Sequence, residues 1–284
     1  MFRYLIGMLG IGALLASTAS YQSSIRAWQK QRDAGLRAPD GWLTLVGLFW
    51  LKEGNNTIGS GGSNDFVLPE SAAAERTGVL QLHGKKVVFR SEHGDARELS
   101  YDEEHPDVVR DGTISFYVIQ RGDKFAVRAK DSAALARKRF SGMKYFPINA
   151  ELHVEGKFVA DSKKIAILNI LGQTDLEESP GVVEFRYQGQ TYRLRPIYEG
   201  KTLFFLFKDR TNRSQTYQAG RMLNTPLPVD GKVDLDFNRA YNPPCTFTPY
   251  ATCPLPPKEN TLPFAVNAGE LRYGQGHPEL SAAR

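Results

Sequence analysis

The sequence predicts a mainly β protein, built from antiparallel β-sandwich or barrel units and preceded by one N-terminal helix. Three observations carry this reading. Short runs rich in β-branched and aromatic residues recur along the chain. Turn signals separate them: His83-Gly84, Arg121-Gly122-Asp123, Gln188-Gly189, Glu199-Gly200 and Asp230-Gly231. Helical periodicity is scarce beyond the first forty residues. Strand-forming runs joined by glycine turns are the pattern of hairpins.

The chain opens with Arg3, the uncharged apolar run Leu5–Ala16 and the small residues Ser17-Thr18-Ala19. This is the layout of a secretory signal peptide over residues 1–19, and the run is short for a bilayer span. The competing reading is an uncleaved N-terminal anchor. Export implies a periplasmic or secreted protein. No cysteine near the cleavage point invites lipidation. In residues 20–40, Ile25, Trp28, Arg32 and Leu36 share one helical face, and Ser23 or Ser24 offers a cap for a helix over Ser23–Leu36. Ala38-Pro39-Asp40-Gly41 ends it.

Next comes Gly41–Leu51 (GWLTLVGLFWL), apolar throughout. Its spacing fits both a helix and a strand. Core packing and the lining of an apolar pocket are its two readings. The predicted strands are Val79–Leu82, Lys86–Arg90, Thr113–Gln120, Phe125–Ala129, Ile165–Leu171, Val182–Tyr187, Thr191–Ile197 and Leu203–Lys208. A polar, basic stretch at Asp131–Met143 interrupts them. It divides a small β-sandwich, residues 41–135, from a C-terminal β unit, residues 136–272. One continuous sheet system is the alternative. A flexible tail, residues 273–284, follows.

Asn242–Pro257 (NPPCTFTPYATCPLPP) holds six prolines and both cysteines of the protein. Proline fixes φ and removes a backbone donor, so this segment is a stiff irregular loop. In an exported chain, Cys245 and Cys253 point to a disulfide, worth roughly 2.5 kcal/mol by loop-closure entropy.

Formal net charge is +5 and falls to +4 if residues 1–19, which contain only Arg3, are removed. Such a mild, interspersed balance implies no nucleic-acid partner. No later run predicts a membrane span. The five histidines are scattered, so no metal site and no cofactor is expected. A nucleophile elbow is absent. The Gly59–Ser63 turn lacks the ending of a phosphate-binding loop.

Thr57-Ile58-Gly59-Ser60 and Ser63–Leu68 resemble the opening of forkhead-associated domains, which are β-sandwiches that read phosphothreonine. Ser60 stands where that family carries its phosphate-reading arginine, and its Ser-Arg-x-His is missing around Ala74–Gly78. The resemblance implies a fold and no phosphopeptide function. A broader likeness rests on Gly41–Leu51, Gly220-Arg221, Leu235–Asn238 (LDFN), Ala240–Pro257, Asn260 and Ala268-Gly269-Glu270. Together these resemble a bacterial family of exported proteins, domain of unknown function 1684. That resemblance implies one architecture and no activity.

The leading expectation is a binding protein for a small molecule or envelope component. Its site lies beside the proline loop and uses Arg128, Arg221, Asn238, Tyr241, Asn242 and Tyr250. A buried structural plug is the competing reading of the loop. Arg128 and Arg221 either grip a carboxylate or phosphate, or pair with Asp131, Asp209 or Asp236. A hydrolase-like enzyme using Asp209, Asp236 or Glu270, and a structural envelope protein, are the alternatives.

Overall fold

The structure, a computed structural model, describes residues 6–274. It begins with helix α1 (Ile6–Arg37). A 3-10 turn at Trp42–Thr44 leads into nine strands: β1 (Leu45–Trp50), β2 (Gly54–Gly59), β3 (Phe66–Val67), β4 (Gly78–His83), β5 (Lys86–Ser91), β6 (Ala96–Glu98), β7 (Val109–Asp111), β8 (Ile114–Arg121) and β9 (Lys124–Asp131). They form two sheets, ordered β1-β9-β8-β7 and β3-β2-β4-β5-β6. All pairs are antiparallel except β2 with β3. The alternating inward residues Leu80, Val87 and Phe89 meet Phe116, Val118, Phe125 and Val127 in one core. Two sheets packed through one apolar face each make a sandwich.

Helix α2 (Leu135–Arg139) follows, then β10 (His153–Leu168), β11 (Thr174–Tyr187), β12 (Gln190–Leu194), β13 (Ile197–Glu199), β14 (Thr202–Phe207), β15 (Arg221–Pro226) and β16 (Lys232–Asp236). Their sheets run β12-β11-β10-β16 and β13-β14-β15. Val183, Phe185, Leu194 and Leu235 of the first sheet pack on Leu203, Phe205, Phe207 and Leu223 of the second. Among the described residues no sheet closes into a barrel, so the open sandwich is the outcome of that paired expectation.

Several boundaries differ from the sequence reading, each for a local reason. The helix does not start at Ser23: it runs from Ile6, and Ser24 Oγ donates back to the Tyr21 carbonyl within it. Residues 1–5 of the expected signal lie outside the described residues. The strand expected over Ile165–Leu171 stops at Leu168, because Asn169 Oδ1 accepts from the backbone N–H of Leu171 and Gln173 and turns the chain. Thr191–Ile197 splits in two at Pro196, which cannot donate to a ladder. The apolar Gly41–Leu51 run is a 3-10 turn plus β1, with Leu43 and Leu45 buried.

Two residues of the expected tail, Tyr273 and Gly274, are among those described. Tyr273 packs against Phe140 and Phe247 at centroid distances of 5.6 and 5.2 Å. The remainder of the expected tail, residues 275–284, lies outside the described residues. No helix among those described is long and apolar enough to cross a membrane.

Candidate functional site

Pro243 and Pro244 set up a 3-10 turn over Pro244–Thr246, and the chain then doubles back so that Cys245 and Cys253 are joined, with Cα atoms 6.2 Å apart. Both cysteines are buried against Leu45, Tyr217 and Ala251. Thr248 Oγ1 donates to the Leu45 carbonyl, tying the loop to β1. The loop is thus packed between the sandwich and the C-terminal sheets.

Of the predicted site residues, Arg221, Asn238, Tyr241 and Asn242 fall in buried networks. Arg221 is wholly buried; it pairs with Asp209 at 2.8 Å and donates to the carbonyls of Val266 and Ala268. Burial pulls its guanidinium below the ordinary value, and Asp209 opposes that pull. Asn238 Nδ2 donates to the Asn149 carbonyl and to Asp236. Asn242 donates through its backbone N–H and Nδ2 to Glu270 Oε2, at 2.7 and 2.9 Å. The Tyr241 hydroxyl donates to Asn224 Oδ1, and burial raises its pKa.

Helix α1 closes this region. Tyr21 donates to Asp236 at 2.9 Å, Arg32 Nε reaches Glu270 at 2.8 Å, and the Arg32 guanidinium lies over the Tyr241 ring. The cavity beside Arg221 and the prolines holds about 10 Å³, room for one water at most. These four residues thus bond neighbouring groups of the fold, chiefly Asp209, Asp236, Asn224 and Glu270, as the plug reading of the loop expects. Arg221 Nε and Asn242 Oδ1 are the exceptions, buried without partners, as is Thr246 Oγ1 of the loop.

The three carboxylates weighed as acid or base are likewise committed. Asp209 accepts from Arg221 and from the N–H of Thr211 and Val266. Asp236 accepts from Tyr21 and Asn238 and pairs with Arg239. Glu270 is saturated by Arg32 and Asn242. Each is buried in its own network.

Arg128 and Tyr250 lie apart from that plug. Strand β9 is buried on both sides, with Phe125, Val127 and Ala129 in the core and Ala126 and Arg128 on the outer side. There Arg128 Nη2 donates to Thr252 Oγ1 of the proline loop at 3.3 Å, and its guanidinium stacks 5.4 Å from the Trp42 ring. Its Nε is buried with no partner. Asp131, the expected counter-ion, instead caps the Ala133 N–H. Among the described residues no carboxylate pairs with Arg128, although it is 6 % exposed. A second guanidinium converges on the same oxygen: Arg121 Nε is 3.3 Å from Thr252 Oγ1. Arg121 also pairs with the exposed Glu103. Tyr250, 38 % exposed, marks the rim of the loop.

Two arginines aimed at one neutral hydroxyl form a cationic seam with an aromatic wall. Thr252, Trp42 and Arg121 are the members that sequence reasoning missed as site residues. Trp42 was visible as part of an apolar run, whereas nothing in the sequence links Thr252 to Arg128. The acidic cleft nearby, about 910 Å³ and lined by Glu98, Asp102, Glu103, Asp107 and Asp175, is of opposite character.

The fold and this seam define a class: a mainly β protein whose C-terminal sandwich is sealed by a disulfide-braced proline loop and an N-terminal helix. A family model described as protein of unknown function (DUF1684) matches residues 138–271, and the chain belongs to that family. It is also similar to an uncharacterized protein of Haloarcula marismortui solved by solution NMR, with 31% identity over 48% of this chain and 78% of that one, at a TM-score of 0.41. No curated protein matches.

Proposed function

We propose that this protein binds a small anionic molecule, or the anionic group of an envelope component, in the seam between the sandwich and the proline loop. The observation that carries this is Arg128, a buried guanidinium whose neighbours are a hydroxyl and an indole. Burying a cation without a counter-charge costs several kcal/mol. A carboxylate or phosphate reaching Nε and Nη2 returns that energy on binding, and guanidinium geometry suits both. Arg121, itself paired with Glu103, adds a second guanidinium donor, Trp42 a flat wall, and Tyr250 a rim. The ligand-binding expectation thus moves from Arg221 and Asn242 to Arg128.

Export belongs to the same reading. It is supported by the apolar N-terminal run and by the disulfide, which persists in oxidising compartments. The division into units at 41–135 and 136–272 is supported by the cores, one drawn from residues 58–129 and another from 152–268. The enzyme reading has no observation in its favour.

Thermal shift with phosphate, sulfate, acetate and citrate at fixed ionic strength tests the proposal. Anions that exclude themselves from protein surfaces stabilise proteins generally, so the comparison is with Arg128→Gln. Stabilisation of the wild type beyond that of the variant supports the site. Equal shifts in both, or none in either, defeat it.

A further inference from the structure

Strands β10 and β11 outrun their neighbours. β16 pairs with β10 only over His153–Lys157, and β12 pairs with β11 only over Val183–Tyr187. Beyond those pairings, residues 163–168 and 174–179 form a two-stranded arm. Its tip is fastened to the proline loop: the Leu255 N–H donates to the Leu168 carbonyl, and the Ile170 N–H to the Cys253 carbonyl.

The arm has two different faces, because directly opposed residues of an antiparallel pair share a face. One face carries Ile165 and Ile167, which pack on Phe204, Leu206 and Met222. The other carries the opposed pairs Lys164–Glu178, Ala166–Leu176 and Leu168–Thr174, all six exposed. Leu176 is 69 % exposed and Leu168 46 %, and Leu171 at the tip is 43 % exposed. Adjacent leucines on an outward strand face mark an interaction surface more often than scattered ones do. Lys164 and Glu178 oppose each other, yet among the described residues neither makes an ion pair.

We infer that this outer face packs on its counterpart in a second copy of the chain, with the two-fold axis running along the arm. Such an axis lays β10 of one copy over β11 of the other in register. Lys164 then meets Glu178 of the partner subunit twice, once on each side of the axis. Ala166 faces the partner's Leu176, and Leu168 the partner's Thr174. The face is therefore self-complementary in charge and in shape, as an isologous contact requires. A membrane surface fits less well. Asp175, Glu177 and Glu178 outnumber Lys163 and Lys164 on the arm, and an anionic bilayer attracts a basic surplus. Three partly exposed leucines fall short of the roughly 800 Å² per partner of a standard interface, so the dimer is weak and concentration-dependent.

Sedimentation equilibrium of the full chain, from micromolar to several hundred micromolar, tests this. The dimer fraction is expected to rise with concentration and to vanish in Leu176→Glu. Lys164→Glu and Glu178→Lys are each expected to weaken association at least tenfold by setting like charges together, and the double exchange to restore it. All three positions are on the exposed face, and circular dichroism reports that the variants fold. A wild type that stays monomeric throughout overturns the inference, whether or not it floats with phosphatidylglycerol vesicles. A double exchange no better than either single one also overturns it.

Discussion

Arg32 of the N-terminal helix places its Nε 2.8 Å from Oε1 of Glu270, a carboxylate with no solvent exposure, across 238 residues of chain. Glu270 in turn accepts from Asn242 at the start of the proline loop. Helix, loop and C-terminal segment are therefore held by one buried negative charge, and Arg32 is the cation that allows it to stay there.

Removing that cation leaves the charge stranded. Arg32→Met is expected to destabilise the protein by about 3 kcal/mol, the range for breaking a buried pair. Arg32→Met combined with Glu270→Gln is expected to recover part of the loss, because no bare charge then remains. Urea denaturation of the three variants checks both, and an additive double variant contradicts the pairing.

Arg128 makes the opposite prediction. Among the described residues its charge has no counter-ion, so Arg128→Met is expected to leave stability unchanged or raise it by about 1 kcal/mol. The same denaturation measurement reads it. A loss of 3 kcal/mol or more, of the order of a broken buried pair, indicates an undetected structural role for this side chain.

Glu177 gives a pH dependence. Burial, then Asp175 and Glu103, raise its pKa above the ordinary 4.5. The folded protein thus holds this proton more tightly than the unfolded chain does. The stabilising contribution is complete below 4.5 and is lost as pH rises through the raised folded value. Glu177→Gln is expected to be more stable than wild type at neutral pH, by at most about 1 kcal/mol given its solvent screening. The gain disappears in acid. Melting curves at both pH values check the sign, and a gain confined to acid contradicts it.

Much of the fold was legible in short-range signals. The turns at His83-Gly84, Gln188-Gly189 and Asp230-Gly231 require left-handed backbone, and Gly84, Gly189 and Gly231 supply it with positive φ. Hairpins followed directly. The arm was less legible: Ile167 is buried and Leu176 exposed, yet both are apolar, so residue type alone does not separate its faces. The helix start was misplaced because Ser24 satisfies the helix backbone from inside rather than capping it.

The site divided along similar lines. The proline loop and its cysteines were visible as composition, and Arg128 as a chemical type. What decides whether an arginine is structural or available is its partner, and that is a matter of distant pairing. Asp209 lies 12 residues before Arg221 and takes its charge. Thr252 meets Arg128 across 124 residues and leaves its charge open.

The most direct measurement follows the guanidinium itself. The Nε–H resonance of Arg128, assigned by its loss in Arg128→Lys, is titrated by ¹⁵N NMR with whichever anion stabilises the protein, at constant ionic strength. The account predicts a saturable shift at Arg128 Nε while the Nε signal of Arg221, whose guanidinium is held through Nη2 on Asp209 in the buried interior, stays in place. An Arg128 signal that does not move at anion concentrations that stabilise the fold contradicts it.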